Sequence, residues 1–124
     1  MAKTGIVEGD RVSIEGVITG INADGTVSLA LDGNTLAVNI TYSGLTGTVT
    51  AGHIHGPATA EQAAGVIKGL IPGLGATGAT SGTITGTTTV NSATASYMVQ
   101  GLTYVNIHTS FQDGGEIRGQ ATPQ

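Results

Sequence analysis

Between Thr35 and Ser43 the chain runs TLAVNITYS, and Leu36, Val38, Ile40 and Tyr42 occupy every second position. A period of two is the repeat of a pleated strand with one face buried and the other wetted. The preceding segment, TVSLALDG, sets Val27, Leu29 and Leu31 on one face in the same way. Before that, RVSIEGVITGIN (Arg11 to Asn22) carries Val12, Ile14 and, past Gly16, Ile18, with a kink expected at Gly16 or Gly20. Ala23-Asp24-Gly25 and Asp32-Gly33-Asn34 supply turn signals between these runs. Three amphipathic strands in sequence predict an antiparallel meander.

The same reading extends down the chain. TGTVTAGHIH predicts a strand ended by Gly56-Pro57, with Val49, Ala51, His53 and His55 on one face and Thr48, Thr50, Gly52 and Ile54 on the other. TAEQAAGVIKGL holds helix formers, and Thr59 with Gln62 makes a weak capping box, so a short helix or a loop is expected within 59–70. IPGLGATGATSG is a glycine-rich connection, TITGTTTVNS a strand, and ATASYMVQGL a strand or a short helical turn. TYVNIHTS is a strand, Gln112-Asp113-Gly114-Gly115 a turn and EIRGQAT the final strand. Seven or eight short strands with close-set turns predict an all-β fold, an antiparallel β-sandwich or barrel. Length allows one domain, assigned to residues 10–122 behind an N-terminal arm over 1–9.

Charge and composition remove several functions. Only four residues are Lys or Arg and the net charge is −4, so no basic stripe exists for nucleic acid. No apolar run reaches the length of a membrane span. The opening MAKTGIVEGD lacks the apolar segment of a signal peptide. There is no cysteine, which excludes disulfides and thiolate metal sites. No nucleophile elbow, paired acids or phosphate loop appears, and no small-molecule substrate is identified.

What remains is histidine. The chain has three, and two stand together in TAGHIHGPAT as His53 and His55, while His108 lies in YVNIHTS. Residues two apart on a strand share a face, with Cα atoms about 7 Å apart. Two such imidazoles plus a third from a remote strand can bind one ion through three nitrogens. Neutral imidazole suits copper, zinc or nickel, and copper ranks first because all-imidazole sites hold it strongly. Glu116 and Arg118 are neighbours on the last strand, read either as a solvated ion pair or as a place where Arg118 attracts an anion beside the metal.

The pieces ITYSGLTGTVTAGHIHGPA (Ile40 to Ala58), SGTITGT (Ser81 to Thr87) and YVNIHTSFQDGGEIRGQ (Tyr104 to Gln120) resemble the CHRD domain, named for chordin, over roughly Gly16 to Gln120. The resemblance implies an extracellular or cell-surface β-sandwich, of Greek-key, immunoglobulin or superoxide-dismutase type, without a defined catalytic activity. Its motif positions here are His53, His55, Gly56, Pro57, Asn106, His108, Thr109, Glu116, Arg118 and Gly119. The residues MAKTGIVEGDRVSIEG lack the family's usual opening strand, so a missing edge is expected. Ala2 to Gly9 donated to a neighbouring copy would fill it. GLTGTVTAGHIHGPAT is also similar to the copper-binding strand of copper/zinc superoxide dismutases, though no residues remain for a zinc bridge.

Together these readings favour a non-enzymatic, self-associating surface module. Its expected metal ligands are His53, His55 and His108, with Glu116, Arg118 and Asn106 around them as supporting or anion-binding groups. The alternatives are a small copper enzyme of superoxide-dismutase type and a fibre subunit in which the metal plays no role.

Overall fold

The computed structural model describes residues 11–20 and 23–124. The N-terminal arm expected over 1–9 lies outside the described residues. The elements follow in the order β1 (Arg11–Gly20), β2 (Ala23–Asp32), β3 (Thr35–Ser43), β4 (Val49–His55), β5 (Val66–Ile71), β6 (Gly82–Thr89), α1 (Ser92–Val99), β7 (Thr103–Thr109) and β8 (Ile117–Pro123). The eight strands form one sheet, ordered β5-β4-β7-β8-β1-β2-β3-β6, with antiparallel pairing throughout. This sheet rolls up until nearly closed, so the two layers expected of a sandwich are opposite walls of one surface. The all-β expectation holds, and β1 is an interior strand between β8 and β2; the sheet margins are β5 and β6.

Alternation explains the core. Val12, Ile14, Ile18, Val27, Leu29, Leu31, Leu36, Val38, Ile40 and Tyr42 all point inward, as the period of two requires. A single apolar cluster draws on every strand and on Ala95 and Met98 of α1. Its two halves meet where β1 crosses β8, paired at Ile14–Pro123, Glu15–Thr122 and again at Thr19–Arg118. Gly16 and Gly119 make this crossing close. A Cβ on Gly119 would stand 2.5 Å from the Val17 carbonyl oxygen and 2.9 Å from the Ile18 Cα, inside van der Waals contact.

Two local expectations are corrected. Ala23-Asp24-Gly25 is strand, not turn, because these residues pair with Gly20, Thr19 and Ile18. Of the short helix or loop expected within 59–70, the helix does not form. Thr59 N–H does donate to Gln62 Oε1 and Gln62 N–H to the Thr59 carbonyl, so the capping box forms a single turn. It does not propagate, because one turn is a costly nucleus, Gly65 follows, and Val66 and Ile67 are β-branched. That stretch instead pairs with β4 and buries Leu70 and Ile71. The helix lies at Ser92–Val99, where Asn91 caps it by accepting from Thr94 N–H at 2.8 Å.

The connection 72–81 runs between the two margins. Leu74 N–H donates to the Leu70 carbonyl of β5, and the Leu74 carbonyl accepts from Thr85 N–H of β6. Gly78 and Ala79 exchange main-chain bonds with Val49, and Leu45 N–H donates to the Thr80 carbonyl.

Candidate metal centre

β4 and β7 are neighbours, with Ala51 opposite His108, His53 opposite Asn106 and His55 opposite Tyr104. The parity expected for β4 breaks at one point. A register shift between Val49 and Ala51 is a bulge, so Val49 joins Ile54 in the core rather than sharing a face with His53. Ala51, His53 and His55 therefore face outward. On β7, Val105 and Ile107 enter the core, which turns Tyr104, Asn106 and His108 to the same outer face. On β8, Ile117 and Ala121 are core, and Arg118 and Gln120 point outward beside them.

The three histidines meet on that face. One ligating nitrogen from each lies within 4.8 Å of the others. The ring centroids are 4.9 Å apart for His53 and His108, 5.6 Å for His53 and His55, and 6.0 Å for His55 and His108. Hydrogen bonds fix which nitrogens face inward. His55 Nδ1 stands 2.9 Å from the Ala64 carbonyl oxygen, and His108 Nδ1 stands 2.7 Å from that of Asp113. A carbonyl only accepts, so each Nδ1 carries the hydrogen and each neutral ring presents a bare Nε2. His108 Nε2 lies 3.1 Å from His53 Nδ1, which donates to it in the neutral, metal-free protein. His55 Nε2 is buried and has no hydrogen-bond partner among the described residues. An orphaned buried lone pair is uncommon in a folded protein. An imidazole whose outer nitrogen donates to a carbonyl while the inner one is bare is the arrangement of a metal ligand. Burial, then the nearby His108 and His55, pushes the His53 pKa below its ordinary 6.5, favouring the neutral ring that ligation needs.

The surrounding groups hold this geometry. Tyr104 Oη accepts from Ala64 N–H and donates to the Ala64 carbonyl, the same carbonyl that orients His55. The Tyr104 ring stacks on His55 with centroids 4.9 Å apart and planes 8° apart. Arg118, arriving from β8 on the other flank of β7, places its guanidinium carbon 3.5 Å from the Tyr104 centroid. It donates to the Thr59 carbonyl at 2.9 Å and to Gln120 Oε1 at 3.3 Å. Gln120 in turn donates to the carbonyls of Ala58 and Gly101. The segment from Ala58 to Ala64 is thus laced onto the outer face and covers His55.

The other sequence candidates divide. Arg118 is one aromatic ring away from His55. Asn106 lies between His53 and Arg118 in register, its amide lodged against Gly115, where φ is +114° and a Cβ would collide with it. Asn106 Oδ1 is buried without a hydrogen-bond partner among the described residues. Glu116 turns away from the histidines to accept from Thr46 N–H, Gly47 N–H and the Thr109 hydroxyl. Sequence reasoning passed over Tyr104 and Gln120, although Tyr104 shares the parity of Asn106 and His108, and Gln120 that of Arg118.

Among the described residues the cluster offers three neutral nitrogens and no carboxylate. Such a donor set suits copper or zinc and not calcium or magnesium, which want oxygen. Among the described residues no helix is long and apolar enough to cross a membrane. Comparison with curated proteins and with solved structures finds no match. The sequence model of the CHRD domain matches residues 5–121, starting upstream of Gly16 and so including the opening segment that looks atypical. With nearly its whole length matched, the chain belongs to the CHRD domain family.

Proposed function

We propose that the protein is a non-catalytic β module that binds one copper or zinc ion, copper by preference, through His53 Nδ1, His55 Nε2 and His108 Nε2. The ion would tie β4 to β7 and stabilise the roll, since ligand that binds only the folded state adds to its stability. The observation that carries this reading is the buried, unpartnered Nε2 of His55, aimed away from its own carbonyl acceptor. Two of the three imidazoles are held ready by main-chain oxygens, so little reorganisation opposes binding. Family membership and a surface of Thr, Ser and Asn with few charges support an extracellular or cell-surface setting.

The test is metal analysis of protein prepared without an affinity tag, followed by titration of stripped protein with copper and zinc while its melting temperature is read. One equivalent bound is expected. At a free metal concentration about 100 times Kd, stability rises by about 2.7 kcal/mol, visible as a clear upward shift in melting temperature. His55→Ala and His108→Ala remove the shift. A stripped protein whose melting temperature ignores both metals sinks the proposal.

A further inference from the structure

Resting on that three-histidine site, we infer that the centre selects the singly charged, reduced copper ion over divalent ions, and that Arg118 sets this preference through the Tyr104 ring. Three observations lead there. First, the donors are three neutral nitrogens, so nothing in the cluster cancels the charge of an ion bound there. The cost of holding an ion away from water grows with the square of its charge, which penalises a dication more heavily than a monocation. Second, His55 is buried beneath the fastened Ala58–Ala64 segment, while His53 and His108 are partly exposed, so the ion is shielded from water on the His55 side. A dication ordinarily fills a fourth position, whereas three imidazoles satisfy a monovalent copper.

Third, a positive charge stands close by and is not neutralised by what it touches. The Arg118 guanidinium donates to two uncharged oxygens, the Thr59 carbonyl and Gln120 Oε1, and lies 3.5 Å over the Tyr104 ring that stacks on His55. Among the described residues no carboxylate accepts from it, Glu61 of the covering segment included. Asp113 contributes its main-chain carbonyl to His108, and the Glu116 carboxylate is committed to Thr46, Gly47 and Thr109. Guanidinium, phenol ring and ligand imidazole form one stack, so the charge acts on the ion through packed side chains. Repulsion from one fixed charge is twice as large for a dication as for a monocation. Arg118 is therefore a positioning and selecting residue that touches no ion itself.

The experiment measures affinities of the full chain for copper(I) and for copper(II) separately, each by competition with a chelator of known affinity for that ion. The wild type is expected to bind copper(I) more tightly. Arg118→Gln removes the charge while leaving a polar amide in its place, and should move the affinity ratio about tenfold toward copper(II). That is the effect of a unit charge roughly 10 Å away on one extra metal charge at an effective dielectric near 20. Arg118→Lys restores most of the ratio by restoring the charge, and it serves as the second folded variant. Tyr104→Phe keeps the ring but loses both bonds to Ala64, so both affinities should fall together with the ratio unchanged. A purely structural Arg118 would lower both affinities in parallel, and that result overturns the inference while leaving the site standing. A wild type that binds neither ion overturns the site and the inference together.

Discussion

A histidine that has given its Nδ1 hydrogen to a carbonyl has a single nitrogen left to offer, and two residues here are in that position. The histidine pair and its distant third were legible in the sequence, because residue type and a period of two are written there. The carbonyls of Ala64 and Asp113 that orient them were not, because every residue carries a carbonyl and only the fold decides which one points at a ring. Glu116 shows the same limit: it was read as a neighbour of Arg118 on the last strand and as a motif position of the family, yet its acceptor oxygens bind the loop before β4. Burial opposes its ionisation, but the N–H groups of Thr46 and Gly47 and the Thr109 hydroxyl outweigh that and hold its carboxyl below the ordinary 4.5. A carboxyl lowered by folding means the unfolded chain takes up more protons in acid. The stability it contributes is therefore complete above about pH 4.5 and is lost as the pH falls through the folded value. Denaturant unfolding of metal-free protein from about pH 6 to pH 3 should show a declining free energy, and Glu116→Gln should make that decline shallower. Parallel profiles for the two proteins would remove Glu116 from this role.

At the scale of elements, amphipathic strands were the readable part. Leu36, Val38, Ile40 and Tyr42 are all buried as their spacing requires. What the pattern does not encode is interruption. The bulge after Val49 flips the parity of β4 and is visible only in its pairing with β7. The Thr59 capping box was legible but spoke for four residues, not for a helix. The helix at Ser92–Val99 carried its own signals, an Asn at the N-cap and a positive-φ Gly101 just beyond the C-cap. The crossing of β1 over β8 yields a direct prediction. Gly119→Ala pushes a methyl into the Val17 and Ile18 backbone and should destabilise by about 1–3 kcal/mol, the usual scale of overpacking. Gly114→Ala, where nothing lies within 4 Å, is the matched control. Equal denaturation midpoints for the two would show that the crossing has slack.

For the whole molecule, one rolled sheet around one core leaves two strand margins among the described residues. Interior strands satisfy their main-chain groups on both sides, so among the described residues β5 and β6 are the edges open to strand addition between copies. If Ala2 to Gly9 is the donated segment, sedimentation velocity should show larger species as concentration rises into the tens of micromolar, and a chain lacking residues 2–9 should stay monomeric. A full-length chain that sediments as a compact monomer throughout would end that idea. The margins themselves are not joined strand to strand. Leu74 spans them with one bond to each, inside a glycine-rich and mostly exposed connection, and Gly75 sits between Ile71 of β5 and Ile84 of β6. A scroll fastened by a clasp rather than a hem unrolls at the clasp first. Heat or force would slip those few bonds and bare two isoleucines to water while every ladder in the sheet stayed intact.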